Sequence, residues 1–194
     1  MKGCRPLKER EVLGVLRSLG GRWAARDRAL VLLGIKSGFR ISELLSLRLG
    51  DVVQHGKLVD RISVRRRNMK GKVSGRTVLL HPVAREALTT WLKQLQPCNR
   101  WQADTCLFLS GKGENRPITR IHAYRLFKNA CAANRMQGVL ATHSLRKTFA
   151  HRIYERLGRD LLKTQRALGH KSITSTVQYL SFSEEEIDRA IRAI

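Results

Sequence analysis

The sequence predicts an α+β fold that is mainly helical and carries a small antiparallel β-sheet. Apolar residues recur at helical spacing through most of the chain. Two short segments near the middle alternate apolar and polar residues, as strands do, and a glycine-containing turn joins them. The second half of the chain is predicted to be nearly all helix, so the sheet belongs to the first half.

The first half is expected to contain four helices and the two strands. Gly38 ends the second helix and Pro82 begins the fourth, positions where these residue types are favoured. Alternation predicts one strand over residues 58–66 and its partner over 76–80, with the turn at 70–75 between them. The helices predicted from apolar spacing cover residues 9–19, 24–37, 41–47 and 82–95.

The second half is expected to contain a series of helices. Thr119 can cap the first of them. A last helix begins at Ser183, with acidic residues in its first turn where the helix dipole favours negative charge. Before these helices, residues 96–105 are predicted to form a surface loop and 107–109 a short third strand. The helices before the last one are predicted over 119–134, 144–157, 160–168 and 172–180.

The chain carries a large excess of positive charge. Its 194 residues include 38 Lys and Arg against 15 Asp and Glu, a formal net charge of +23. So many cations call for a polyanionic partner, and nucleic acid is the favoured one. A membrane partner is disfavoured, because the longest uninterrupted apolar run, residues 29–35, is about a third of a spanning helix.

Neither the N-terminus nor the cysteines indicate export. The first residues lack the apolar core of a signal peptide, so we expect a cytoplasmic protein associated with the nucleoid. The cysteines form no C-x-x-C pair and have no histidine at metal-binding spacing. Free thiols and no zinc site are therefore expected. The four cysteines are Cys4, Cys98, Cys106 and Cys131.

The sequence offers, in order, the groups that phosphodiester transfer without a metal requires. Arginine neutralises phosphate oxygens through bidentate, permanently charged contacts. Tyrosine can attack phosphorus and form a covalent intermediate. Lysine can protonate the leaving oxygen, and histidine can relay protons. The residues predicted to supply these groups are Arg40, Lys70, His143, Arg146, His170 and Tyr179.

The predicted elements place several of these residues where such chemistry needs them. Arg40 lies at a helix N-terminus, which is already a site that favours anions. His143 and Arg146 are three residues apart at the start of a helix, so they share a face. His170 lies at a junction between helices, and Tyr179 follows nine residues later.

Each residue alone also has an ordinary structural explanation. Arg40 could be a solvated cation, and His170 could be a satisfied structural histidine. Tyr124 and Tyr154 compete equally with Tyr179 as the nucleophile. The ordered combination, and no single residue, indicates phosphodiester chemistry.

Four segments of the chain resemble the motifs of the tyrosine recombinase (phage integrase) family, and the resemblance runs from about residue 7 to 182. It implies the DNA breaking-rejoining fold of that family. It also implies a single catalytic domain over 1–194, without the N-terminal core-binding domain that most members carry. The four segments are Gly38-Phe39-Arg40-Ile41-Ser42-Glu43-Leu44, Lys70-Gly71-Lys72 leading to Arg76-Thr77-Val78-Leu79-Leu80, His143-Ser144-Leu145-Arg146 followed by Thr148-Phe149-Ala150, and Leu168-Gly169-His170-Lys171-Ser172-Ile173 followed by Thr176 and Tyr179.

The resemblance implies a role for each residue. Arg40 and Arg146 would hold the scissile phosphate, and His143 and His170 would support proton transfer and phosphate binding. Tyr179 would attack and form a 3′-phosphotyrosyl bond. Since this ester conserves the energy of the broken bond, neither ATP nor a metal nor any other cofactor is expected.

The turn between the two strands is expected to bring cations to DNA. By resemblance, Lys70 would be the general acid on the leaving 5′-oxygen. Lys72 is the alternative, because the turn is one residue longer than in common members of the family. Cations this close repel each other, so a cluster of them is favourable chiefly when phosphate groups are bound to it. The predicted DNA-binding residues are Arg65, Arg66, Arg67, Lys72 and Arg76.

Double-stranded DNA is the expected partner, bound by a homotetramer on paired sites. An apolar stripe in the last helix would dock on a neighbouring protomer or pack within its own chain. Two other functions stay open, namely relaxation of DNA as by a type IB topoisomerase, and regulation by a noncatalytic DNA-binding protein that keeps the fold. The stripe consists of Ile187, Ala190, Ile191 and Ile194.

Overall fold

The computed structural model describes residues 3–64, 76–95, 101–112, 114–180, 188 and 191–192. The helices in this part of the chain are α1 (Glu9–Ser18), α2 (Ala24–Ser37), α3 (Ile41–Leu45), α4 (Leu49–Val52), α5 (Pro82–Leu95), α6 (Arg120–Ala133), α7 (His143–Arg156), α8 (Leu161–Leu168) and α9 (Ile173–Val177). The strands are β1 (Val53–Gln54), β2 (Lys57–Leu58), β3 (Arg61–Val64) and β4 (Arg76–Leu79). The chain divides into two compact units, Met1–Phe149 and Ala150–Ile194.

The mainly helical α+β prediction is confirmed, and α2 and α5 have the predicted bounds. Gly38 ends α2 in the left-handed conformation, at φ 63°. Thr119 caps α6, since its Oγ1 accepts a hydrogen bond from the His122 N–H at 3.0 Å. Local capping chemistry therefore fixes these helix ends as the residue types indicated.

The predicted strand pair is present, but the first strand is split. β3 pairs antiparallel with β4, and Val64 lies opposite Arg76 at the open end of this ladder. Val59 leaves the ladder, because its N–H donates to the carbonyl of Val52 at 3.0 Å. The residues before it form the separate hairpin β1–β2, which was not predicted. Residues 65–66 of the predicted strand lie outside the described residues.

The prediction of a third strand over 107–109 is wrong. Leu109 forms an isolated bridge to Pro117, and Leu107 and Phe108 are fully buried in the core. The Leu107 carbonyl accepts a hydrogen bond from the Trp91 indole N–H at 2.7 Å, so it is satisfied by α5 and not by a strand. A short apolar run signals burial, and burial does not require a strand.

The ends of three other predictions also differ or lie outside the described residues. The helix predicted over 172–180 ends at Val177, because the N–H of Tyr179 donates to the Thr176 carbonyl in a tighter turn. Part of the predicted loop over 96–105, and most of the helix predicted from Ser183, lie outside the described residues. The hydrogen bond from the Arg192 N–H to the Asp188 carbonyl at 3.0 Å has helical spacing.

The first unit is built around α2, which is buried on opposite faces. One face, with Leu30 and Leu33, joins a large apolar cluster shared with α5. The other, with Val31 and Ile35, joins a second cluster shared with α1 and α6. A helix that carries apolar residues on opposite faces packs between other elements in the interior of a protein. Its C-terminal end, which carries the first recombinase-like segment, is thereby held rigidly in the interior.

The second unit is a compact arrangement in which α8 packs against α9. Asp160 caps α8 by accepting the Lys163 N–H at 2.9 Å, and Gly169 ends it in the left-handed conformation. Leu168 and Thr176 are fully buried where the two helices meet. The short connection between these helices carries His170.

Candidate active site

The turn after α2 carries the first predicted arginine into the site. Gly38 donates its N–H to the Gly34 carbonyl at 3.0 Å and closes the helix. A Cβ on Gly38 would collide with the ring of Phe149 on α7, so glycine is required both for the backbone conformation and for this close approach. Phe39 is 1% exposed and anchors the turn in the core. Arg40 therefore enters α3 from a fixed position.

Arg40 is held by a buried carboxylate. Its backbone N–H donates to Glu43 Oε2 at 2.8 Å, and its guanidinium Nη1 donates to Glu43 Oε1 at 2.6 Å. The Glu43 side chain is 1% exposed, whereas that of Arg40 is 23% exposed. One carboxylate thus fixes both the backbone and the side chain of the arginine, and it leaves part of the guanidinium accessible to a ligand.

Arg146 reaches the same turn from α7. It is 1% exposed, and its Nη1 donates a hydrogen bond to the Gly38 carbonyl oxygen. The start of α7 is tied to the N-terminal segment by Thr148, whose Oγ1 accepts the Leu7 N–H at 2.8 Å. His143 begins α7, one helical turn before Arg146, so the prediction that these two residues share a face is confirmed.

Arg76 lies in the interior, where the sequence predicted a cation that contacts DNA. It is 7% exposed, and its Nη2 donates to the Ser37 carbonyl at 2.8 Å while its Nη1 donates to the Gly38 carbonyl at 3.2 Å. Its guanidinium also lies over the Phe39 ring, 5.2 Å from the centroid. Its position at the end of the basic turn suggested exposure, but Arg76 lies on the inward face of β4. Arg76 therefore does not present its guanidinium on the surface as an exposed cation.

These arginines crowd positive charge around the Gly38 turn. Burial, followed by the nearby charges of Arg146 and Arg40, lowers the pKa of Arg76 to about 9, against the opposing effect of Glu43. Like charges held this close in a poorly solvated place destabilise one another unless an anion joins them. The arrangement therefore favours an anion, and the Glu43 carboxylate supplies one negative charge against three guanidiniums.

The positive charges around the Gly38 turn also act on His143. Partial burial of its ring, followed by the charges of Arg146, Arg40 and Lys147, lowers the pKa of His143, although the residue as a whole is exposed. The neutral imidazole is thus favoured in the free protein. A bound phosphate would reverse much of this effect, because negative charge stabilises the imidazolium.

The second unit brings His170 and Tyr179 together. Their ring centroids lie 5.0 Å apart at an interplanar angle of 59°. His170 Nδ1 lies 3.0 Å from the Thr176 Oγ1, and Thr176 is fully buried. The Gln165 side chain donates to the His170 carbonyl at 3.0 Å, which holds the backbone of this connection. Histidine and tyrosine are therefore positioned as a pair within one small unit.

The predicted basic turn lies outside the described residues. This concerns Lys70 and Lys72 as general acid, and Arg65, Arg66 and Arg67 as DNA contacts, so all of these stay predictions. The described arms on either side, β3 and β4, form the predicted antiparallel ladder.

Sequence reasoning gave no role to three residues that support the site. Glu43 stands three residues after Arg40, the spacing of a capping box, and this signal could have identified it. Thr176 supports His170 from six residues away, across the predicted junction between two helices, and no local pattern in the sequence links the two side chains. Phe149 faces Gly38 only through tertiary packing, for which the sequence holds no local signal.

The structure can be searched for a metal site and for a membrane-spanning helix only in the described residues. Among those residues there is no cluster of three or more His, Cys, Asp or Glu that could hold a metal ion. No helix within them is long and apolar enough to cross a membrane. Cys4, Cys106 and Cys131 are free thiols, as predicted, and Cys98 lies outside the described residues.

Comparisons with known proteins show what this chain is similar to. The chain is 31% identical to the probable integrase/recombinase YoeC of Bacillus subtilis over 160 residues, covering 82% of this chain and 80% of that protein. It is also 31% identical to the type 1 fimbriae regulatory protein FimE of Escherichia coli over 184 residues, covering 92% of this chain and 86% of that protein.

A solved structure shares the fold. The site-specific recombinase XerH, bound to palindromic difH substrate in a post-cleavage complex, matches with a TM-score of 0.74 and 24% identity. The match covers 96% of this chain, which spans 52% of that one. The model of the phage integrase family matches residues 7–186. The chain therefore belongs to the phage integrase family, the tyrosine recombinases.

Proposed function

We propose that Tyr179 is the nucleophile with which this chain performs site-specific DNA recombination. The phenolic oxygen attacks the scissile phosphorus, the bond from phosphorus to the 5′-oxygen breaks, and a 3′-phosphotyrosyl ester forms. Rejoining is the reverse step, in which a 5′-hydroxyl attacks this ester and the phenol recovers its proton. Strand cleavage and rejoining through a tyrosine is the activity of the family.

The observation that carries the proposal is that Arg40 and Arg146, distant in sequence, share the Gly38 turn. Arg40 extends from that turn and Arg146 donates to its carbonyl. Two guanidiniums at one place suit the nonbridging oxygens of a phosphate, whose negative charge grows in the transition state. Arg40 and Arg146 are accordingly assigned to bind the scissile phosphate, and His143 to donate to it.

The pairing of His170 with Tyr179 supports the choice of nucleophile. Thr176 fixes the orientation of the imidazole at Nδ1, and the Tyr179 ring lies against it. An oriented histidine beside a phenol can take up or donate a proton as the phenol reacts. We assign His170 to this proton transfer and to phosphate binding.

The proton for the leaving 5′-oxygen is assigned to Lys70, with Lys72 as the alternative. Both belong to the segment that joins β3 to β4. An ammonium near the scissile phosphate combines charge stabilisation with proton donation. The neighbouring Arg65, Arg66 and Arg67 are assigned to the DNA backbone, where such contacts provide affinity that falls steeply with salt.

The proposed assembly is a homotetramer on paired sites in double-stranded DNA. Strand exchange between two duplexes requires two cleavages in each, so four nucleophiles are needed. The net charge of +23 suits a protein that meets so much phosphate and associates with the nucleoid. The apolar stripe of the last helix is proposed to dock on a neighbouring protomer.

A nicked suicide substrate tests the proposal. Cleavage there releases a short strand that cannot return, so the covalent protein–DNA adduct accumulates on a denaturing gel. We expect an adduct with the wild-type chain and none with Tyr179→Phe, while Tyr124→Phe and Tyr154→Phe still form it. DNA binding without any adduct would favour the regulator, and relaxed plasmid without recombinants would favour the topoisomerase-like activity.

A further inference from the structure

Arg76 is buried, yet it touches the turn that carries the phosphate-binding residues. Two of its nitrogens donate to successive carbonyls, Nη2 to Ser37 at 2.8 Å and Nη1 to Gly38 at 3.2 Å. The Gly38 carbonyl also accepts from Arg146. The same oxygen thus binds both a guanidinium from β4 and the guanidinium proposed to hold the scissile phosphate.

The contacts of Arg76 immobilise the turn from one side. Its guanidinium covers the Phe39 ring at 5.2 Å, and Phe39 is the residue between Gly38 and Arg40. A planar fork that binds two adjacent carbonyls and stacks on the next side chain leaves the turn little freedom to rotate. Because the Arg40 side chain leaves from this turn, its position depends on the same contacts.

Arg76 is also the first residue of β4, opposite Val64 in the register. The segment between these two residues carries Lys70 and Lys72. Arg76 therefore ties the end of the lysine-bearing segment to the arginine-bearing turn. Burial removes the guanidinium of Arg76 from water, and this desolvation is the main cause that lowers its pKa to about 9. An apolar side chain could fill the same space without that cost, so the charge at this position needs another explanation.

We propose that Arg76 is a positioning residue for strand cleavage, which acts through the Ser37 and Gly38 carbonyls to hold Arg40 and Arg146 in register. The expected effect on cleavage rests on the proposed function, whereas the contacts of Arg76 with the Ser37 and Gly38 carbonyls do not. Arg76 itself touches neither DNA nor the reacting atoms. Its effect is on the rate of cleavage at saturating DNA, and little on DNA affinity.

Arg85 provides a matched control. It too bridges successive backbone carbonyls, donating to Leu58 at 3.1 Å and to Val59 at 3.0 Å, and it also pairs with Asp60. These contacts lie on the β1–β2 side of α5. A substitution there removes the same kind of backbone clamp at a place that does not hold the Gly38 turn.

The test compares Arg76→Lys with Arg85→Lys in the full chain on the nicked suicide substrate. Lysine keeps the positive charge but cannot bind two carbonyls as a planar fork. We expect Arg76→Lys to lower the single-turnover rate at saturating DNA by about tenfold or more, as displaced catalytic groups do. The half-saturating DNA concentration should stay close to that of the wild type, and Arg85→Lys should cleave at the wild-type rate. Arg76→Gln, which keeps a donor for one carbonyl, replaces Arg76→Lys if that variant does not fold.

A second readout does not depend on cleavage. Burial, followed by the charges of Arg146 and Arg40, lowers the pKa of His143, so displacement of these guanidiniums by Arg76→Lys should raise that pKa part of the way toward its ordinary value. Histidine NMR titration, with His143→Gln for assignment, measures this in the free protein, so the result stands even if the wild-type chain forms no adduct. A wild-type cleavage rate, an equal loss in Arg85→Lys, or an unchanged His143 pKa in folded Arg76→Lys would each overturn the inference.

Discussion

The carbonyl oxygen of Gly38 accepts a hydrogen bond from the guanidinium of Arg146, although 108 positions separate the two residues. This bond joins the turn before α3 to the start of α7. Each of these elements carries one of the arginines assigned to the scissile phosphate. The site in the first unit is therefore built from two recombinase-like segments that share one backbone acceptor.

Arg146→Lys should lower the rate of adduct formation by roughly 100-fold, the usual cost of removing one transition-state donor. The charge remains, but a single ammonium cannot both bind the Gly38 carbonyl and present a planar fork to phosphate. Arg156→Lys, at the other end of α7, is exposed and should cleave like the wild type. Equal rates for Arg146→Lys and the wild type would remove Arg146 from phosphate binding.

Glu43→Gln should destabilise the chain and slow cleavage together. The amide cannot accept hydrogen bonds from both the backbone and the guanidinium of Arg40 with the strength of a carboxylate, and this side chain is 1% exposed. We expect a loss of about 2 kcal/mol in the free energy of unfolding, within the range for breaking a charged buried contact. Urea denaturation measures it.

The exposed pair of Arg159 and Glu155 is the control for that substitution. Their 3.4 Å contact joins side chains that are 66% and 42% exposed. Glu155→Gln should cost less than about 1 kcal/mol and leave cleavage unchanged, because surface ion pairs contribute little. Similar costs at the two positions would contradict the role given to Glu43.

Gly38→Ala should destabilise the first unit more than Gly56→Ala does. Both glycines have positive φ, 63° and 73°, so alanine is strained at either position. At Gly38 the new methyl group also meets the Phe149 ring, whereas at Gly56 it meets nothing within 4 Å. We expect about 1 kcal/mol at Gly56 and 2 to 3 kcal/mol more at Gly38, from strain plus overpacking. Thermal unfolding measures the difference, and equal decreases in Tm for the two variants would show that contact with the Phe149 ring does not restrict position 38.

The pKa of His143 should lie below its ordinary value of 6.5 in the free protein, as partial burial and the neighbouring arginines require. The folded state then binds fewer protons than the unfolded state. His143 therefore contributes stability that is fully present above the unfolded pKa and is lost as the pH falls through the folded pKa. NMR titration of the imidazole measures the folded value.

Binding of DNA should raise the pKa of His143, because phosphate supplies the missing negative charge. The complex then takes up a proton, and affinity should increase as the pH falls between the free and bound pKa values. His143→Gln should lose this pH dependence. A His143 pKa that does not move when duplex DNA is added would place the phosphate elsewhere.

Thr176→Val should slow cleavage by about tenfold, whereas Thr176→Ser should retain most of the rate. Valine matches threonine in shape but removes the oxygen that lies 3.0 Å from His170 Nδ1. The imidazole then loses the contact that orients it toward its role, a loss typical of misplaced proton-transfer groups. Single-turnover cleavage measures the rate, and equal rates for both variants would show that the His170–Thr176 contact has no part in the reaction.

Local signals in the sequence predicted helix ends and which residues share a helix face. Gly38, Thr119 and Pro82 mark helix ends through local backbone chemistry, so α2 and α5 have the predicted bounds. The pairing of His143 with Arg146 follows from helical spacing alone. Such signals act within a few residues, and a sequence displays them directly.

The side-chain direction of Arg76 and the conformation of residues 107–109 depend on tertiary contacts. Arg76 was grouped with exposed cations because its neighbours in sequence are basic, but the direction of its side chain is decided by the pairing of β3 with β4. The run over 107–109 resembled a strand, although its apolar residues are explained by contact with α5. Neither feature can be read from local composition, since each depends on which distant element lies alongside.

Tyr179 is the residue to which we propose that the DNA phosphate is transferred. Mass spectrometry of the adduct from the suicide substrate, after nuclease and protease digestion, identifies the residue that carries the nucleotide. We expect the modified peptide to contain Tyr179 and the nucleotide to be attached through its 3′-phosphate. A nucleotide on the peptide of Tyr124 or Tyr154, or attachment through a 5′-phosphate, would contradict it.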